Sequence, residues 1–265
     1  MPEHTGHTAA AMVTSIGLTN ENLQVIADEV ARSLSHAMVE GRTAYITTAV
    51  SYPNGTGVVV RLDQDDDHFF VSDDGQASLS AELFGAGHVF ARIASDVAKR
   101  YSVEYDQHAF FILKVRRHQL PAAVALIANA SAVSVDRTLT ALDRQKIKVS
   151  RELFVNRITE AFGSLAVFDA SIRGTSKTWD VDAAIIEDQR VNAVFEFVTP
   201  AHASVASAHM KIGDISAMFE RPKTAIVLAD YDRTDAALRR ILSSSADAVF
   251  AAKAKIEDYR SALAA

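Results

Sequence analysis

The sequence predicts an α+β protein of two domains, and three observations carry that prediction. Strand-type segments follow one another directly between residues 43 and 72, as in an antiparallel meander. A second run, from residue 137 to residue 228, orders its segments helix, strand, strand, strand, helix, strand. Between the two runs the charge balance changes: residues 1–135 carry 9 basic and 15 acidic side chains, whereas residues 136–265 carry 18 of each. The expected division is therefore a tail over 1–18, an N-terminal α+β domain over 19–135 and a second, α/β domain over 136–265.

The tail reads as flexible. Its apolar stretch Ala9 to Val13 has no basic lead and follows His4 and His7, which does not describe a secretory signal. From Asn20 to Glu40, the residues Leu23, Ile26, Ala27, Val30, Leu34, Ala37 and Met38 recur at helical spacing, so a single amphipathic helix that packs its apolar face is expected. Strands are expected over 43–51, 56–63 and 68–72, separated by a Pro-Asn-Gly loop and by the acidic turn Asp65 to Asp67. Ser72-Asp73-Asp74-Gly75 reads as a turn rather than a ligand set. Glycine accepts positive φ there, and aspartate carboxylates bond to nearby backbone amides. A helical region then runs to Arg100, interrupted near Gly85 and Gly87, before a hairpin over 103–105 and 109–115. Pro121 suits the first turn of a helix reaching Val133.

The second domain opens on a helix over 137–162 whose polar surface carries Arg137, Arg144, Lys146, Lys148, Arg151 and Arg157. Strands over 165–172, 178–186 and 191–198 follow, then a helix over 203–219 and an apolar strand over 224–228. A helix over 232–242, a short strand over 248–251 and a last helix to Leu263 complete the chain.

Composition narrows the function classes. With 265 residues, 49% of them hydrophobic, a packed core is available. The longest apolar runs, Ala109 to Leu113 and Ala122 to Ala128, fall far short of the roughly 20 residues of a membrane span, so no membrane partner is expected. The absence of cysteine excludes disulfides and cysteine-ligated metals and fits a cytoplasmic protein. A formal charge of −6 excludes a globally basic DNA-coating protein while permitting a local phosphate-binding surface.

The chemistry concentrates in Lys177 to Val198. Strand alternation places Asp180, Asp182, Ala184 and Ile186 on one face, and Glu196 shares a face of the next strand with Val194 and Val198. A three-residue loop, Asp188 to Arg190, would set Asp182 opposite Glu196, their Cβ atoms about 5 Å apart. Like charges so placed repel, and a divalent cation would remove the repulsion. The same residues also describe a solvated sheet edge.

This arrangement resembles the PD-(D/E)XK, or restriction endonuclease-like, superfamily over roughly residues 150–230. The resemblance implies a metal-dependent nuclease acting on DNA. Asp182 and Glu196 would hold Mg²⁺ or Mn²⁺, with Glu160 on the preceding helix and Asp180 as possible accessories. The family's lysine position is occupied by Val198. Some members carry that lysine on the following helix, where Lys211 stands here, beside Asp214. The catalytic set it implies is Asp182, Glu196 and Lys211. In addition, Ile46 through Val71-Ser-Asp-Asp-Gly75 resembles a bacterial and phage family known as domain of unknown function 1828. Phe195 to Pro200 resembles that family's companion domain, number 1829. Both imply a phage or mobile-element conflict setting. The departure at Val198 keeps a second reading open, an inert module of the same fold that binds nucleic acid or a protein partner as an immunity, regulatory or counter-defence factor. Oligomeric state is not set by these motifs.

Overall fold

The computed structural model describes residues 20–263; the tail expectation lies outside them. The chain divides into two units that meet between Leu139 and Thr140.

The first unit is a six-stranded antiparallel sheet with helices against it. Its elements are α1 (Asn20–Ser33), β1 (His36–Glu40), β2 (Thr43–Ser51), β3 (Gly57–Asp65), β4 (His68–Ser72), α2 (Gln76–Leu83), α3 (Gly87–Tyr101), β5 (Glu104–Asp106) and β6 (Ala109–Val115), followed by the start of α4 (Leu120–Phe162). The strand order is β1-β2-β3-β4-β6-β5. Alternate residues Val58 and Val60 of β3, Val71 of β4 and Phe110 of β6 pack against Phe90, Ala94 and Val97 of α3 and Ile127 and Ala130 of α4. The turn after β4 is built on Asp73. Its buried carboxylate accepts hydrogen bonds from the amides of Gly75 and Ala77, from the amide of Phe110 (2.8 Å) and from the Ser131 hydroxyl (2.7 Å). One side chain thereby ties a turn, a helix start, a strand and α4 together.

Two expectations fail in this unit. The helix expected over 20–40 ends at Ser33, and its last five residues form β1, which pairs antiparallel with β2 from His36↔Thr47 to Glu40↔Thr43. Backbone pairing with β2 thus overrides a helical spacing that Ala37 and Met38 happened to continue. Nor does the apolar face pack: every residue from 23 to 42 is exposed. Further on, the helices expected over 121–133 and 137–162 are one helix of 43 residues. Ser134-Val135-Asp136 contains neither glycine nor proline, so nothing breaks it, and Ser134 and Thr138 turn inward. One window around this helix is long and apolar enough to cross a bilayer, and 39% of it is buried within the protein. Its apolar positions Ala123, Ile127, Ala128 and Ala130 are core residues of the first unit.

The second unit has three layers. After α4 come β7 (Ala166–Arg173), β8 (Thr178–Glu187), β9 (Arg190–Val198), α5 (His202–Ser216), β10 (Lys223–Leu228), α6 (Ala236–Ser243), β11 (Ala248–Ala251) and α7 (Ile256–Ser261). The sheet order is β11-β10-β9-β8-β7. β8 runs antiparallel to both neighbours, and β9, β10 and β11 are parallel. On one face Val194, Val198, Ile226 and Leu228 pack beneath Val205, Ala208 and Ile212 of α5. On the other, Ala183, Ile185, Phe195 and Phe197 pack against Phe154 and Ile158 of α4 and Tyr259 of α7.

The expected alternation along β8 does not hold. Ala183 faces α4 and Ala184 faces α5, yet Val181 joins the α5 side. β7 does the same, with Phe168 on the α4 side and Ala170 and Ile172 on the α5 side. The pairing omits Asp169 and Asp182, between Phe168↔Ala183 and Ala170↔Val181, and Asp169 has φ 51°. Both strands therefore change phase at one point, and the hairpin beyond it folds over α5.

Candidate functional site

The site is set by the β8–β9 hairpin. Its loop is shorter than expected: Asp188 and Gln189 form a two-residue turn with φ 49° and 65°, closing Glu187↔Arg190. A bulge between Ile185 and Ile186 compensates, so that Ala183 still pairs with Phe195. Continued by one residue, this register brings Asp182 level with Glu196. There the ladder stops, and the Asp182 carboxylate itself accepts the Phe197 amide at 2.7 Å, standing in for the missing strand acceptor.

The two carboxylates leave the sheet in different directions. Glu196 lies between Val194 and Val198 on the α5 side, 7% exposed, and its Oε1 accepts from Lys211 Nζ at 2.6 Å. Lys211 also donates to the backbone carbonyl of Asp180. Glu196 Oε2 is buried and has no partner. Burial pushes the Glu196 carboxyl above its ordinary pKa; the Lys211 bond opposes that shift, and the charge of Asp182 reinforces it. Asp182 turns instead toward α4, where its Oδ1 accepts from Arg151 at 2.6 Å, and the Arg151 guanidinium lies over the Phe197 ring.

The remaining expected residues fall around this pair. Asp180 is adjacent through its carbonyl, while its carboxylate accepts from the Ser171 hydroxyl at 2.6 Å. Glu160 is not brought to the cluster: it is exposed and pairs with Arg157 at 3.3 Å. It lies nine residues beyond Arg151, about 13 Å along the helix and half a turn round from the face that reaches Asp182. Val198 is fully buried beneath α5.

Two residues outside the expected set do much of the positioning. Arg151 looked like part of a basic helix surface. Its spacing one turn before Phe154 and two before Ile158, both buried against the sheet, was the available signal. Asp214 fastens the folded-over hairpin to α5 by accepting from the Trp179 indole (2.7 Å), the Ser176 amide (3.0 Å) and the Thr175 hydroxyl. Those bonds, the Thr175 hydroxyl first, hold its carboxyl well below the usual range. Lys177 covers the Trp179 ring, 3.7 Å from its centre, so the indole serves packing rather than an open stacking surface.

A divalent metal of the Mg²⁺ class needs several convergent oxygen donors. These residues do not fit one as they stand. Lys211 occupies Glu196 Oε1, Arg151 and an amide occupy Asp182, and the carboxylates turn toward opposite layers. Among the described residues no three His, Cys, Asp or Glu side chains converge. The exposed face of α4 offers different chemistry: Arg144 and Lys148 stand one turn apart on one stripe, with Lys146 beside them in a cleft that Thr199 and Arg233 also line. The chain matches no family model and shows no significant similarity to a curated protein or a solved structure.

Proposed function

We propose that the second unit is a restriction endonuclease-like scaffold that binds nucleic acid without cleaving it. The α-β-β-β-α-β order, with five strands in sequence order and the second antiparallel to its neighbours, supports the scaffold. The observation that carries the loss of hydrolysis is the state of the carboxylates: each candidate metal ligand is held by a cation of the protein itself, Lys211 for Glu196 and Arg151 for Asp182. These ion pairs, with the Phe197 amide, occupy three of the four carboxylate oxygens and leave only Glu196 Oε2, too few donors for a metal that activates water. Binding would use the α4 stripe, because guanidinium and ammonium groups at one-turn spacing track a phosphate backbone without reading its bases. A role in a phage or mobile-element conflict belongs to the same proposal.

The hydrolytic reading keeps one observation in its favour. Lys211 reaches Glu196 from the helix that follows the strand, as a relocated family lysine would. A plasmid-cleavage assay with Mg²⁺ and Mn²⁺ separates the two readings: the inert module leaves the substrate intact, whereas cleavage that disappears in Asp182→Ala and Lys211→Ala sustains the nuclease. Binding is read by fluorescence anisotropy on short duplex and single-stranded DNA over a salt series. Replacing Arg144 and Lys148 by Ala is expected to reduce the slope of log affinity against log salt by about 1 per residue. A slope that does not change removes the stripe from the interface.

A further inference from the structure

We infer that the chain forms a two-fold homodimer by pairing β1 with β1 of a second copy, the apolar stripes of the two α1 helices covering the joint. β1 is the outer strand of the first unit's sheet, and nothing among the described residues pairs with its free edge. Natural edge strands are blunted by shortness, charge, proline, a bulge or a cover, and of these β1 has only its five-residue length and the terminal Glu40. His36-Ala37-Met38-Val39-Glu40 has no lysine or proline, its pairing with β2 shows no bulge, and all five residues are exposed on both faces.

The strand is also self-complementary. Gly41, at φ 62°, and Arg42 make a two-residue turn, so Glu40 and Thr43 form the hydrogen-bonded closing pair. Counting back, Glu40, Met38 and His36 direct their backbone groups at β2, which leaves those of Ala37 and Val39 along the open edge. An antiparallel copy centred on Met38 then pairs Ala37 with Val39 twice, using the groups that are free. The same axis sets Met38 against Met38, and His36 against Glu40 on both sides, an imidazole donor facing a carboxylate. Register, backbone pattern and side-chain chemistry thus agree on one axis.

Leu23, Val25, Ile26, Val30, Leu34, Met38 and Val39 are each 45–69% exposed within one 17-residue stretch. Of these, Leu23, Ile26, Val30 and Leu34 share one side of the helix and the turn that ends it, and their area adds to that of the paired strands toward the ~800 Å² per partner of a stable interface. Scattered exposed apolar residues need no explanation, but these four recur at one-turn spacing in the segment that leads into the open strand, and so form an apolar stripe with no cover among the described residues.

The test is the mass of the full chain in solution, by sedimentation equilibrium up to roughly 100 µM, well above a micromolar dissociation constant. Wild type is expected at twice 28.7 kDa. His36→Glu places two carboxylates opposite each other and Glu40→Lys places an ammonium opposite an imidazole; each alone should weaken association about tenfold or more. Mixed together, the two variants restore complementary pairs and should form the heterodimer, which also shows that both are folded. Val39→Pro removes an edge N–H while sparing the ladder to β2, and should be monomeric. A wild type that stays monomeric overturns the inference. So do dimers that persist in all three variants, or a mixture that remains monomeric.

Discussion

Glu196 and Lys211 form the most consequential side-chain pair in the second unit, and their energetics follow from burial. Their side chains are 10% and 14% exposed, so removing the ammonium leaves a nearly buried carboxylate without compensation. Breaking such a pair costs about 3–5 kcal/mol, whereas an exposed pair is worth under about 1 kcal/mol. Lys211→Ala should therefore lower stability by several kcal/mol at neutral pH. The penalty should shrink as pH falls through the raised pKa of the Glu196 carboxyl, because the protonated group no longer needs the cation. The linkage has a definite sign: a carboxyl that binds its proton more tightly in the folded state makes stability fall as pH rises from its unfolded value to its raised folded value. Denaturant midpoints for wild type and Lys211→Ala at several pH values check both statements; a loss independent of pH would show that the ammonium acts only through packing. Gly174 supplies a second prediction at this scale. A Cβ there would collide with the Asp214 carboxylate, so Gly174→Ala should loosen the hairpin over α5, read as a red shift in Trp179 emission.

At the scale of elements, the bend in β7 and β8 decides what the carboxylates do. Straight strands would have put Asp182 on the α5 side beside Glu196. The phase change at Asp169 and Asp182 folds the distal hairpin over α5 and turns Asp182 to Arg151 on α4. The aspartate then completes the hydrogen bonding of β9 by accepting the Phe197 amide. Asp182→Ala would remove the acceptor from a mostly buried amide and orphan part of Arg151, costing about 1–3 kcal/mol. Asp182→Asn keeps an acceptor and should recover part of that loss, with hydrogen exchange at Phe197 rising in the alanine variant and less in the asparagine one. Comparable exchange in both variants would mean that the amide is protected by something else. The two-residue turn with its bulge is a matching case: it reaches the register of a three-residue loop by a different route, because one residue removed from the turn is returned inside the strand.

Across the whole molecule, the carboxylates with depressed and raised pKa values are unevenly divided between the two units. The depressed carboxylates Asp143, Asp214 and Asp247 all lie in the second unit. Asp247, bonded to Arg221 and Thr224, is held down to about 2. Each contributes stability that is present above the ordinary carboxylate pKa near 3.8 and is lost as pH falls through the depressed value. The buried Asp73 of the first unit and Glu196 of the second are raised by burial, and their linkage runs the other way. With three depressed carboxylates against one raised in the second unit, and none depressed beside Asp73 among the described residues of the first, acid should unfold the second unit first. Its only tryptophan, Trp179, reports that unit alone, so its fluorescence transition should lie at higher pH than the loss of far-ultraviolet circular dichroism from the first unit's elements. Coincident transitions would mean that α4, which continues across the boundary at Leu139 and Thr140, makes the chain unfold as one body.

Local chemistry determined a large part of this protein. The Asp-Asp-Gly turn, the meander of β2 to β4, the strands β7 to β9 and the buried stripe of α5 are legible because turn residues and apolar period act over a few neighbouring residues, and Asp73 bonds to its own turn as that chemistry requires. The proximity of Lys211 to Glu196 was legible too, since a border position on α5 overlies the next strand. What the tertiary structure alone decided is which layer each charged group meets. Period-2 alternation specifies a face only while a strand stays regular, and the bend at Asp182 depends on how the hairpin packs over α5, a contact between residues more than 30 positions apart. The same is true of β1: helical spacing was intact through Met38, but the β2 edge, present only in the fold, turned those residues into a strand and left its outer edge open.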